Sequence, residues 1–113
     1  MDEQAANGLN FELLAAALRA DTADMPAWMA ALAEKLAGAL PGRVVVRRGG
    51  LLGHGPVTGM AADLGAWRFA LHLEHGQPVA ERTHVVRSIA LKTETLPLDG
   101  WIDALSAALS DLA

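Results

Sequence analysis

The sequence predicts a single α+β domain, an antiparallel four-stranded meander with helices packed on one face, in the order α-α-β-β-β-β-α. Apolar residues recur at three- and four-residue steps in the first and last thirds of the chain, and they alternate with polar residues in the middle third. Strands and helices do not alternate along the chain, so a parallel sheet is not expected. With 113 residues, the chain is long enough for one hydrophobic core. We expect residues 1–9 to be a flexible N-terminal segment and residues 10–113 to form the domain.

Two helices are predicted in the first third. Asn10 can cap a helix over Phe11–Ala20, and Pro26 is suited to the first turn of a second helix. The pair Pro41-Gly42 ends this second helix. Its apolar stripe is Met25, Trp28 or Met29, Leu32, Leu36 and Leu40.

The middle third predicts four strands. They cover Arg43–Arg48, Pro56–Leu64, Trp67–Glu74 and a long return strand over Val79–Lys92. The third strand has the clearest alternation, which predicts one buried face and one solvent-facing side. The fourth changes its alternation along its length, so we expect a bulge or bend around His84–Arg87.

The last third predicts one helix that begins at Pro97. Leu96 and Trp101 have the spacing of a hydrophobic staple, and Asp99 lies in the first turn, where the helix dipole favours an anion. The apolar stripe of this helix is Trp101, Leu105, Leu109 and Leu112.

Charge is segregated along the chain. Residues 1–40 carry six carboxylates against two cations, residues 41–92 carry seven cations against three carboxylates, and residues 93–113 carry four carboxylates. The expected sheet is therefore basic and the expected helices acidic. We expect the strand arginines to pair with acidic helices of the same chain or of a second copy, since two-fold symmetry can bring unlike patches together.

A glycine-rich loop over residues 49–55 separates the first two strands. No Gly-Lys-Ser/Thr closes it and no helix follows, so it does not match a phosphate-binding loop. Leu51 and Leu52 stand between its glycines. We expect these leucines to fold back over the core, and insertion into a partner is the alternative.

Catalytic and metal sites find little support in the sequence. None of the serines lies in a Gly-x-Ser-x-Gly elbow, and the absence of cysteine excludes a thiolate zinc site and a cysteine nucleophile. His72 and His75 lie on a strand and its turn, where they do not converge as they would on a helix. The alternative is a metal or small-ligand site formed across neighbouring strands by His72, His84 and Glu81.

Nucleic-acid binding is the other alternative. Six cations could form a basic stripe on the solvent-facing side of the sheet: Arg47, Arg48, Arg68, Arg82, Arg87 and Lys92. However, Trp67 and Phe69 share the parity of the core residues, so that side lacks the aromatic platforms of single-strand binding. The sequence pI near 5.4 also argues against it.

The segments Val85–Lys92 and Leu96–Leu105 resemble the C-terminal part of small uncharacterised proteins of high-GC bacteria. The similarity extends in element order over residues 10–112. It implies the same fold and transfers no activity.

We therefore expect a cytoplasmic, non-enzymatic protein-interaction module that acts as a homodimer, without a cofactor or metal. Self-association is the leading expectation, another protein partner comes second and nucleic acid third. No membrane partner is expected, since no apolar run is long enough to span a bilayer. The candidate interaction surface comprises Arg47, Arg48, Leu51, Leu52, Arg68, His72, Arg82 and Arg87.

Overall fold

The computed structural model describes residues 25–112. The predicted segment 1–9 and the predicted helix Phe11–Ala20 lie outside these residues. The described elements are α1 (Met25–Ala39), β1 (Val44–Arg48), a short 3-10 turn (Leu51–Gly53), β2 (Val57–Leu64), β3 (Trp67–Glu74), β4 (Gln77–Val86), β5 (Ile89–Leu96) and α2 (Leu98–Asp111).

The five strands form one antiparallel sheet in the order β1-β2-β3-β4-β5. The prediction of four strands is wrong, because the expected long strand over Val79–Lys92 is divided between β4 and β5. The chain reverses at Arg87 and Ser88, which adopt φ angles of 51° and 67°. Two successive residues with positive φ suit a two-residue hairpin turn, but neither is the Gly or Asn that normally marks one. A register shift in the β4–β5 pairing between His84 and Val85 lies where a bulge was expected.

The other predicted strands are confirmed with small differences at their ends. β2 contains Gly59, Ala61 and Ala62, which have low β-propensity, yet it is a central strand that pairs on both sides. Burial of its side chains that face the core, Ala62 among them, stabilises it. These buried residues are Val57, Met60, Ala62 and Leu64.

One face of the sheet carries the hydrophobic core. Phe69 and Leu71 of β3 are buried there, while Trp67 and Leu73 at the ends of the strand are half-buried, so the predicted alternation is confirmed. α1 and α2 contribute most of the remaining core side chains. These are Met25, Trp28, Met29, Leu32, Ala33 and Leu36 from α1, and Trp101, Ile102 and Leu105 from α2.

Trp101 anchors α2 to the sheet. It is fully buried, and its indole Nε1 donates a hydrogen bond to the carbonyl oxygen of Glu81 at 3.0 Å. Its ring meets Phe69 edge to face, with centroids 6.1 Å apart. Leu96 packs against the same cluster, as the predicted staple requires. Both described helices therefore lie on one face of the sheet, and no element of residues 25–112 covers the opposite, open face.

Candidate functional site

The open face of the sheet, opposite α1 and α2, forms a trough of about 710 Å³. Its floor consists of Gly59, Ala61 and Ala70, the smallest side chains of β2 and β3. A Cβ at position 59 would lie 3.2 Å from the Cβ of His72, closer than almost all real contacts. A side chain at position 59 would therefore crowd His72, and glycine keeps this part of the trough free of side-chain atoms.

The strand register arranges the residues of this face in three rows across the sheet. In the central row Val45 lies beside Ala61, which pairs with Ala70, then Glu81 and finally Thr95. The flanking rows are Arg47, Gly59, His72 and Val79 on one side, and Asp63, Arg68, Thr83 and Thr93 on the other. With strands about 4.8 Å apart, the five-stranded face is roughly 20 Å wide.

Two groups of charges on the open face have partners within the chain. The guanidinium Nε of Arg68 donates to the carboxylate of Asp63 at 2.9 Å, and both side chains are about half exposed. His72 lies between two carboxylates. Its Nε2 is 3.4 Å from Glu74 and its Nδ1 is 3.7 Å from Glu81.

Arg43 and Arg47 stand on the β1 side of the trough without such partners. Both are exposed, and within residues 25–112 neither side chain makes an ion pair or hydrogen bond. They flank Val45, which is 63% exposed. The face is thus cationic along β1, whereas its carboxylates stand on β2, β3 and β4 as Asp63, Glu74 and Glu81.

Arg82 does not lie on the open face, contrary to the predicted interaction surface. It pairs in register with Phe69, so it projects to the helix side, because even-numbered residues of β4 face the same way as odd-numbered residues of β3. Its guanidinium lies 4.5 Å from the centroid of the Trp67 ring, and its Nη2 donates to Glu94 at 3.2 Å. Arg87 lies in the β4–β5 turn, away from the trough. The predicted basic stripe is therefore divided between different surfaces.

The predicted cross-strand pair of His72 and His84 is wrong. His72 belongs to the open face, whereas His84 pairs with Trp67 and stacks on its ring, with centroids 4.7 Å apart. Within residues 25–112, no three histidine, aspartate or glutamate side chains are grouped so that they could hold a metal ion.

The loop between β1 and β2 presents the other predicted apolar feature. Leu51 is 88% exposed and Leu52 is 84% exposed, so the expectation that they fold back over the core is wrong. The loop forms a short 3-10 turn over Leu51–Gly53, and none of its residues is buried. Arg48 directly precedes this loop and is exposed.

The sequence interpretation did not assign Arg43, Gly59 and Ala61 to this face, and it considered Glu81 only as part of the alternative histidine site. A signal for the floor was present in β2, where Gly59 and Ala61 alternate with larger apolar residues such as Met60 and Leu64. Glu81 became interpretable only when β4 was separated from β5, since its facing depends on the register of β4.

Comparisons of the chain with protein-family models, with curated proteins and with solved structures gave no match. The two described helices have 15 and 14 residues, and neither is long and apolar enough to cross a bilayer.

Proposed function

We propose that this chain is a non-enzymatic protein-interaction module that acts as a homodimer, with the open face of the sheet as its interface. The observation that carries the proposal is the charge arrangement of that face. Arg47 on β1 and Arg43 directly before it make no ion pair within residues 25–112, Glu81 stands on β4, and the small residues of the trough lie between them.

A two-fold axis can bring the two arginines of one copy opposite Glu81 of the second copy. The axis runs parallel to the strands, between the two stacked sheets and over the line that separates β2 from β3. It places β1 of one copy over β4 of the other, and β2 over β3. In the central row, Ala61 then faces Ala70 of the second copy and Val45 faces Glu81 of the second copy. An angle of about 30° between aligned sheets changes this pairing little near the axis.

The charged side chains become complementary in this arrangement. Arg43 and Arg47 lie two residues before and after Val45, roughly 7 Å away along the strand, so both guanidinium groups can reach Glu81 of the second copy. Asp63 faces Arg68 of the second copy, which preserves opposite charges in that row. Each contact occurs twice because the interface is isologous.

The trough also suits such contacts sterically. Two sheets in face-to-face packing lie about 10 Å apart, and long side chains from both must fit between them. Glycine and alanine at the centre leave room for the arginine side chains of the second copy. In this arrangement β5 extends beyond the second copy. About eight residues along four strands are then covered, which corresponds to roughly 500 Å² per copy, or about 1,000 Å² in total, the size of a small and weak interface.

Charge reversal with complementation tests the proposal. Glu81→Arg places like charges together at both contacts, so we expect dimerisation to weaken by about 100-fold or more. The double variant Arg43→Glu/Arg47→Glu should have the same defect. An equimolar mixture of the two variants should form a one-to-one heterodimer, because each contact again joins opposite charges.

Sedimentation equilibrium over micromolar concentrations measures these states. Lys92→Glu is a matched control, since Lys92 is exposed, pairs with His84 and so belongs to the other face of the sheet. We expect this variant to dimerise like the unaltered chain. A monomeric unaltered chain, or a mixture of variants that remains monomeric, would show that the open face is not a dimer interface.

A further inference from the structure

The β1–β2 loop holds two leucines in solvent by a defined backbone structure. The amide of Gly49 donates to the carbonyl of Pro56 at 3.0 Å, and the amide of Gly55 donates to the carbonyl of Gly49 at 2.8 Å. A Cβ at Gly55 would lie 2.5 Å from that carbonyl oxygen. The base of the loop therefore requires glycine at position 55 and is closed by its own hydrogen bonds.

The tip is strained as well as apolar. Leu52 adopts φ 63° and ψ 17°, a left-handed conformation that is unfavourable for a residue with a branched apolar side chain. It leaves both leucines more than four-fifths exposed, although burial would be favourable for either. Strain that presents apolar side chains to solvent indicates a binding function and does not stabilise the isolated fold.

The chain is basic on the N-terminal side of this tip. Residues 43–62 contain three arginines and no carboxylate, and two of the three, Arg47 and Arg48, directly precede the loop. At the end of β3, next to the β3–β4 turn, Glu74 lies 3.4 Å from His72. The first carboxylate after the loop, Asp63, lies beside Arg43 at the far end of the hairpin, since its amide donates to the carbonyl of that residue. That end is about 16 Å away, beyond the range of unscreened interaction at physiological salt.

A convex pair of leucines with arginines behind it matches the chemistry of an anionic lipid surface. Leucine side chains gain free energy in the boundary between headgroups and acyl chains, while arginines remain at the level of the lipid phosphates. A protein partner would instead need a cleft to receive the tip, and the trough of a second copy is already occupied in the proposed dimer.

We propose that the Gly49–Gly55 loop is a peripheral membrane-binding site, at which Leu51 and Leu52 insert into an anionic bilayer and Arg48 contacts its phosphates. This site differs from the sheet interface proposed above. It also revises the expectation of no membrane partner, which considered only bilayer-spanning segments.

Co-sedimentation with vesicles tests the site. The full chain should bind vesicles of phosphatidylcholine and phosphatidylglycerol, bind phosphatidylcholine alone more weakly, and dissociate as salt rises. The variant Leu51→Ser/Leu52→Asn should bind at least about 100-fold more weakly, since each leucine contributes about tenfold or more. Asparagine tolerates the left-handed conformation at position 52, so this variant preserves the backbone. Arg48→Gln, which leaves the sheet interface unaltered, should bind anionic vesicles about fivefold more weakly.

The matched control is Ile89→Ser/Leu91→Ser. These residues are 63% and 60% exposed on β5, beside the β4–β5 turn at the opposite end of the sheet. The control variant should bind vesicles like the unaltered chain. The proposal is overturned if the unaltered chain does not bind anionic vesicles. It is equally overturned if the loop variant and the Ile89→Ser/Leu91→Ser control weaken binding to the same extent. It is also overturned if the loop variant changes only the oligomeric state in the absence of vesicles, which would assign the leucines to a contact between copies.

Discussion

Truncation of Trp101 tests the packing of α2 against the sheet. The side chain is fully buried, contacts Phe69 and donates to the carbonyl of Glu81. A tryptophan buries up to about 250 Å², which at about 25 cal/mol per Å² corresponds to roughly 6 kcal/mol as an upper limit. Partial relaxation of the cavity reduces this value, so we expect Trp101→Ala to lower the free energy of unfolding by about 3–5 kcal/mol.

Urea unfolding followed by far-UV circular dichroism measures this loss without relying on tryptophan fluorescence. If the alanine variant does not fold, Trp101→Phe gives a second measurement. It retains most of the apolar area but removes the Nε1 donor, so we expect a loss of about 1–2 kcal/mol. Leu112→Ala is the control, because Leu112 follows the same helix and is 41% exposed. A loss below about 1 kcal/mol for Trp101→Ala would refute the assignment of this residue as the anchor of α2.

Three further substitutions test the turns and the surface by the same unfolding assay. Ser88→Gly should raise the free energy of unfolding by about 0.5–1 kcal/mol, because glycine adopts the φ of 67° without the cost of a Cβ; a loss of stability would contradict the proposed turn geometry. Gly55→Ala should lower it by about 1–3 kcal/mol, since the new Cβ would overlap the Gly49 carbonyl; an unchanged value would mean that the loop is not closed as described. Arg48→Ala should change it by less than about 0.5 kcal/mol, because the side chain is exposed and has no ion pair within residues 25–112; a larger loss would reveal a contact that the structure does not contain.

The strands were predicted best where burial alternates strictly. β3 has the predicted bounds, because its odd-numbered residues face the core and its even-numbered residues do not. β4 and β5 were not separated, since Arg87 and Ser88 form their turn without the glycine or asparagine that usually reveals one. The pairing of β4 with β5 compensates the free-energy cost of the positive φ angles at these two turn residues.

The candidate sites were harder to predict from the sequence than the strands, because they depend on how distant segments pack together. The sequence identified the leucine pair of the loop but not its direction, because a glycine-rich segment is compatible with many paths. It also placed Arg82 with the other strand arginines, and only the register with Phe69 shows that this side chain belongs to the helix side. A shift of one residue in register would exchange the two faces, so such an assignment requires the paired partner.

The sequence by itself determined the α+β class, the core stripe of α1 and the buried side of β3, because apolar periodicity is a local property of the chain. Only the tertiary structure decided that the sheet has five strands, that a trough of small residues separates the β1 arginines from Glu81, and that Leu51 and Leu52 extend into solvent. These features depend on which strands pair and in which register, and strand pairing joins residues that are distant in sequence.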